Sequence, residues 1–181
     1  MIFYFDFDNY VKMLRLAWNE KAMKLAETSE DERTKLWLGT LYNNCGWTLY
    51  YLGRYEEALE VHQKGWDWRK ARKQVEPTLI AKWSVAKVLR ALKRHEEALA
   101  MQREILQKRT ELELPAGFAH EELAENLLAL GKTEEAQPHF VKAWALLKDQ
   151  AWIDDDEPGR SDRLRKLAGA EEESASEGDA E

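Results

Sequence analysis

The motif Glu-Glu-Ala recurs three times along this chain, and this repetition limits the possible folds more than any other feature. Its alanines are Ala58, Ala98 and Ala136, so successive copies lie 40 and then 38 residues apart. Twelve residues before each alanine stands another small residue, at Gly46, Ala86 and Ala124. Such self-similarity is typical of stacked supersecondary units, each too small to bury its hydrophobic face alone. We therefore expect a repeat protein.

Each copy of the motif lies between two stretches whose apolar residues recur at helical spacing. In the second copy these residues are Val85, Val88, Leu89 and Leu92 before the motif, and Leu99, Met101, Ile105 and Leu106 after it. We therefore interpret the motif as the turn of a helical hairpin. Gly53 and Gly131 suit the left-handed position that follows a helix, and Pro77 and Pro115 suit the first turn of the next helix. The paired small residues predict a close approach of the two helix axes.

These features resemble the tetratricopeptide repeat, in which a small residue, a leucine and Gly-x-x-Glu-Glu-Ala-Leu connect two paired helices. The segment "NNCGWTLYYLGRYEEALEVHQKG" is close to the idealised repeat of that family. The period exceeds the usual ~34 residues, and together with "EEAQPHFVKAW" it is similar to the kinesin-light-chain type. The chain also resembles small bacterial proteins built from such repeats. The resemblance implies an all-α, right-handed α-solenoid of three hairpins with capping helices.

The expected organisation is an array of repeats between two caps. We expect repeats at 34–75, 76–113 and 114–149, a C-terminal cap helix at 150–169 and a disordered acidic tail at 170–181. Residues 1–33 are expected to hold an aromatic segment and an N-terminal cap helix. The apolar stripe of that helix is predicted to consist of Val11, Leu14, Trp18, Ala22 and Leu25.

The net charge of −7 comes almost entirely from the tail. Residues 171–181 carry six acidic side chains and no basic one, which leaves a net charge of −1 for the rest. A nearly neutral folded part offers no global field to nucleic acid or to an anionic membrane. The single cysteine cannot form an internal disulfide, no apolar run could span a membrane, and the N-terminus lacks a basic signal-peptide region. We therefore predict a cytoplasmic protein that binds neither nucleic acid nor membrane.

The candidates for chemistry are one cysteine and four histidines. Cys45 lies beside the small residue Gly46, where the repeat faces the hairpin interior, so we interpret it as an inert packing residue. An enzyme that uses Cys45 or a histidine stays open as an alternative. The histidines have no paired-ligand spacing for zinc, because "HEELAEN" places Ala124 where a second ligand would stand. We expect no metal and no cofactor.

The resemblance also implies a binding surface, since the first helix of each tetratricopeptide repeat lines a groove that binds a peptide. Residue by residue, the groove positions of this chain are Asn43, Trp47, Tyr50, Trp83, Lys87, Arg90, Glu121 and Glu125. Two alternatives are that a terminal helix fills the groove and that the aromatic residues pack between repeats. The positions that grip a carboxylate in co-chaperones of this family hold no cation here, and Glu122 would repel such a ligand.

These observations predict a non-enzymatic scaffold that binds a protein or peptide partner in its groove. The alternative function is self-association as a homo-oligomer. The segment "IFYFDFDNY" places Phe3, Phe5 and Phe7 at one end of the chain, where an apolar patch would mark an interface.

Overall fold

The computed structural model describes residues 6–155 and 157–170, and this part of the chain is all-α. The described residues form nine helices and no strand; the all-α class is the one that the repeat pattern predicts, and the short helix α2 was not predicted. The helices are α1 (Phe7–Thr28), α2 (Glu32–Lys35), α3 (Leu38–Tyr51), α4 (Tyr55–Ala71), α5 (Val75–Ala91), α6 (His95–Glu111), α7 (Gly117–Ala129), α8 (Thr133–Leu147) and α9 (Arg160–Leu167). Residues 1–5 and 171–181, the latter holding all but the first residue of the predicted acidic tail, lie outside the described residues.

The chain divides into two compact units, Met1–Met101 and Gln102–Glu181. In the first unit, α1 packs on α3, α3 on α4, and α4 on α5. One part of its core joins Leu16 of α1, Leu49 of α3, Ala58 of α4 and Val88 of α5. In the second unit, α7 packs on α8 and α8 on α9. Successive helices therefore pair in the order expected of helical repeats.

The three predicted hairpin turns share one geometry. Gly53 and Gly131 have φ angles of +73° and +74°, so both occupy the left-handed position that the sequence predicts. The Gly53 N–H donates to the Tyr50 carbonyl and the Arg54 N–H to the Leu49 carbonyl, each at 2.9 Å. The second turn has the same two bonds although Lys93, with a φ of +61°, replaces the glycine. The left-handed conformation costs a non-glycine residue about 1 kcal/mol of conformational free energy.

The small residues of the motif bring the paired helices into contact, as predicted. Ala58, Ala86 and Ala124 are fully buried. Gly46 of α3 lies directly against the imidazole of His62 on α4, and a Cβ at Gly46 would stand 2.5 Å from two atoms of that ring. A side chain larger than hydrogen therefore has no room at Gly46 unless His62 moves.

The two prolines behave differently. Pro77 lies in the first turn of α5, as predicted, since that helix begins at Val75. The prediction for Pro115 is wrong, because α7 begins two residues later, at Gly117. Proline restricts the residue before it away from helical geometry, which extends the connection between α6 and α7.

The cap helix α1 is present, and most of its predicted apolar stripe faces solvent rather than the core. Leu16 and Ala26 are buried, whereas Val11, Leu14, Trp18 and Leu25 are 36%, 46%, 72% and 68% exposed. The face carrying Leu16, Met23 and Ala26 packs against the first unit. Near the C-terminal end of α1, the Tyr42 hydroxyl of α3 donates to the Glu27 carboxylate at 2.9 Å. The helix is therefore apolar on two faces, and the one with the larger residues faces solvent.

Candidate functional site

The predicted groove residues occupy equivalent positions in each repeat. The reference point in each repeat is its small residue, Gly46, Ala86 or Ala124. The groove positions lie three residues before it, one residue after it and four residues after it. They hold Asn43, Trp47 and Tyr50 on α3, Trp83, Lys87 and Arg90 on α5, and Glu121 and Glu125 at the first two positions on α7. Residues three and four apart share one face of a helix, so each set lies on a single face.

Four aromatic side chains of the first unit, Trp47, Tyr50, Tyr51 and Trp83, form a surface that we call the aromatic cluster. The Trp47 and Trp83 ring centroids are 5.7 Å apart, and Tyr50 meets Trp47 edge-on at 5.4 Å. Tyr51 contacts both Trp47 and Tyr50. Three of the four rings are half-buried and Tyr51 is exposed, so this cluster lies at the surface of the unit rather than in its core.

Lys87 adds a cation to the aromatic cluster. Its Nζ lies 5.9 Å from the Trp47 ring centroid and 5.4 Å from that of Trp83. Its side chain is only 8% exposed. An ammonium group within about 6 Å of a ring face is attracted by the negative charge of that face, more strongly where water is excluded. The sequence therefore predicted the members of one contact cluster, and their role in binding stays a prediction.

The buried side of the aromatic cluster packs against His62 of α4. Its ring meets Trp47 edge-on at 4.9 Å and fills the space left by Gly46. Burial lowers the pKa of His62 to about 4, because the imidazolium form would lose its water. Its Nε2 has no hydrogen-bond partner among the residues that the structure describes. The aromatic cluster thus rests on a neutral, buried imidazole.

The two remaining predicted residues of the first unit lie beside the cluster. Asn43 lines a cavity of about 20 Å³ together with His62 and Arg69, which is room for about one water molecule. Arg69 donates to the Gly39 carbonyl at 3.1 Å. Arg90 is half-buried one turn beyond Lys87 on α5.

The predicted residues of the second unit are bound by its own terminal helix. Arg160 of α9 donates from Nε and Nη2 to the two carboxylate oxygens of Glu121, at 2.8 and 2.5 Å. Glu121 is 2% exposed and Arg160 8%. Burial alone would lower the pKa of the Arg160 guanidinium. The hydrogen bonds and charge of Glu121, together with the charges of Glu157 and Glu122, outweigh burial, so the pKa of Arg160 is raised. Arg163 of α9 pairs in turn with Glu125.

The sequence reasoning missed these two arginines. A terminal helix was one predicted alternative occupant of the groove, but no residue of that helix was predicted to reach it. The signal was present, because Arg160 and Arg163 lie three residues apart and Glu121 and Glu125 four apart, so each pair shares one helix face. In the second unit a terminal helix therefore covers the face that the sequence assigned to a ligand.

Cys45 does not have the environment of a reactive thiol. Its side chain is fully buried, which confirms the packing interpretation. Burial raises the pKa of the Cys45 thiol to about 11, and the charges of Glu20 and Glu27 act in the same direction. Because the thiolate is the nucleophilic form, a thiol with this pKa is unreactive at neutral pH.

Two histidines meet in the second unit. The Nδ1 atoms of His120 on α7 and His139 on α8 are 2.8 Å apart, so one ring donates to the other. Burial lowers the pKa of both, that of His120 to about 4. No third histidine, cysteine or carboxylate joins them in a metal-binding group within residues 6–155 and 157–170. His139 also lines a cavity of about 540 Å³ beside Arg103, Leu123 and Leu127, which contains none of the predicted groove residues.

The comparison with known families identifies the repeats. A model of the tetratricopeptide repeat matches residues 38–71 and 84–113. These two segments are similar to the tetratricopeptide repeat. The first match covers α3 and α4, and the second begins within α5 and continues beyond α6. The kinesin-light-chain type of repeat is consistent with this family model. No curated protein matches the chain.

Tetratricopeptide repeats are in general scaffolds for protein–protein interaction. The third hairpin, α7 and α8, lies outside the matched residues, and the repeat limits proposed from the sequence stay predictions. No helix of the described chain is long and apolar enough to cross a membrane.

Proposed function

We propose that the protein is a non-enzymatic scaffold and that the aromatic cluster of its first unit binds a segment of a partner protein. The observation that carries this proposal is the contact between Trp47, Trp83 and Lys87 on α3 and α5. Tryptophan, tyrosine and arginine dominate the energetics of protein interfaces, where large rings bury much area at little entropic cost. The cluster offers that chemistry on a family whose repeats generally bind proteins.

The partner would place an apolar side chain against the rings of Trp47 and Trp83. Lys87 and Arg90 lie on the same face of α5 as Trp83, and charged side chains beside an apolar anchor act mainly on the specificity and register of a complex. Glu121 and Glu125, which the sequence also assigned to charge recognition, are paired with α9. Their participation would require this helix to leave them, so the proposal rests on the first unit alone.

The test is affinity capture with matched tryptophan variants. Trp47→Ala combined with Trp83→Ala should weaken capture of the partner at least tenfold, because truncating a central aromatic anchor removes on the order of 2 kcal/mol of binding free energy. Trp37→Ala is the control, since Trp37 is 65% exposed and outside the cluster. The proposal is wrong if the double variant retains every partner that the native protein and the control retain.

A further inference from the structure

The exposed face of α1 has the spacing of a helix-pairing seam. Phe7, Val11, Leu14 and Trp18, which we call the α1 stripe, alternate at intervals of four, three and four residues, and Leu25 continues the pattern seven residues after Trp18. At 3.6 residues per turn the stripe lies roughly 160° around the helix from the buried Leu16 and the half-buried Met23. Intervals of three and four are the signature of helices that pack side by side.

The stripe is too apolar for a surface that remains in water. Phe7 and Trp18 are 69% and 72% exposed, and Tyr10, at the edge of the stripe, is 46% exposed. At about 100 Å² of exposed area for each of the five side chains Phe7, Tyr10, Val11, Leu14 and Trp18, two copies would remove on the order of 1,000 Å² from water, the lower limit of a specific interface. Monomeric proteins rarely leave a contiguous patch of this size uncovered.

We propose that the α1 stripe pairs antiparallel with the α1 stripe of a second copy of this chain. In the register we propose, Phe7 faces Trp18 of the second copy and Val11 faces its Leu14. The seam then contains an aromatic pair at each end and branched side chains at its centre. This inference develops the self-association alternative, and it moves the interface from Phe3 and Phe5, which lie outside the described residues, to α1.

The charges beside the stripe favour this orientation. Asp8 and Arg15 each follow a stripe residue and lie on the same edge of α1, and both are exposed. Asp8 also pairs with Lys12 of its own helix at 2.5 Å, an exposed pair that is screened by water. An antiparallel pair brings equal edges together, so Asp8 of each copy would lie beside Arg15 of the other. A parallel pair would instead place Lys21, whose Nζ lies 5.5 Å over the Trp18 ring, opposite its own copy. Like charges in such a seam are unfavourable.

The test is the mass of the full-length protein across a wide concentration range, by sedimentation or light scattering. We expect it to rise from the 21.2 kDa monomer towards twice that value. Trp18→Glu should keep the protein monomeric while its helical circular dichroism stays unchanged, because Trp18 makes few contacts within its own unit. Trp37→Glu, a substitution at a comparably exposed tryptophan, should leave the association intact.

A charge exchange tests the register itself. Asp8→Arg and Arg15→Asp should each weaken association about tenfold, and the double variant should restore it. A native protein that is monomeric at every concentration would overturn the proposal, whether or not a different protein occupies the stripe. An association that Trp18→Glu does not affect, or that the double variant fails to restore, would overturn it too. Since these variants do not touch Trp47 or Trp83, failure here is separable from failure of the scaffold proposal.

Discussion

The same positions of the repeat have opposite surroundings in the two units. On α3 and α5 they hold Trp47, Trp83 and Lys87, which contact one another at the surface of the first unit. On α7 they hold Glu121 and Glu125, which the arginines of α9 bind. This difference shows that the position of a residue in the repeat predicts the helix face on which it lies. It does not predict which other part of the protein covers that face. A terminal helix covers it in the second unit, and the aromatic cluster of the first unit is the surface that we propose for a partner.

The largest effect that tests this comparison is expected from removing Arg160, the cation of α9 that pairs with the buried Glu121 in the second unit. Arg160→Met should lower the free energy of unfolding by about 3 to 5 kcal/mol, because it leaves the buried Glu121 carboxylate without its partner. Chemical denaturation measured by circular dichroism would report the loss. Replacing both residues by leucine should cost less than either single change, since no buried charge remains.

The matched control for that prediction is Arg163→Met. The Arg163 side chain is 40% exposed, so its pair with Glu125 is screened by water and should contribute less than about 1 kcal/mol. Equal losses for Arg160→Met and Arg163→Met would mean that burial does not distinguish the two pairs. The greater contribution that we assign to the buried pair of Arg160 and Glu121 would then be wrong.

Acidification should lower the free energy of unfolding, because His62, which packs against Trp47 of the aromatic cluster, is stable in the fold only as a neutral ring. The folded-state pKa of His62, about 4, lies below its usual value of 6.5, so the unfolded chain binds a proton more readily. Stability due to the neutral ring is therefore complete above about pH 6.5 and falls as the pH decreases towards 4. From about pH 7 to pH 5 the free energy of unfolding should decrease by ~2 kcal/mol on account of His62.

The control substitutes glutamine, which the second repeat carries at the equivalent position, Gln102. Denaturation curves of His62→Gln at the same pH values should show a smaller decrease than those of the native protein. A remaining decrease is expected from His120 and His139, whose pKa values are also lowered. If the pH dependence were identical in both proteins, the neutral His62 would not contribute to stability.

A smaller effect is expected from filling the space beneath Trp47. Gly46→Ala places a methyl group where the His62 ring lies, which should lower the free energy of unfolding by about 1 kcal/mol after the better helix propensity of alanine is included. Combining it with His62→Gln reproduces the pair Ala86 and Gln102 of the second repeat and should recover most of the loss. Failure of the combined variant to recover would show that the His62 ring is not what excludes the methyl group.

The hairpins could be predicted from the sequence because their determinants are local. The turn at Gly53 and the small residues Gly46 and Ala58 lie within one repeat, and the motif fixes their register. The burial of Cys45 followed from the same register. These positions need no knowledge of distant parts of the chain.

Two features could not be predicted, because they depend on contacts between segments distant in sequence. The α1 helix is apolar on two faces, and only its packing against α3 decides that Leu16 rather than Trp18 is buried. The pair of Arg160 and Glu121 joins residues 39 positions apart. Helical periodicity identifies the face of each helix and does not select its partner.

The most direct measurement is an NMR titration of the tryptophan indole N–H signals with the partner retained by the native protein. The chain has eight tryptophans, which supply internal controls at known exposure. The scaffold proposal predicts that the signals of Trp47 and Trp83 shift on binding, while those of the exposed Trp37 and Trp152 stay in place. Shifts at Trp37 or Trp152 with unchanged signals at Trp47 and Trp83 would contradict it.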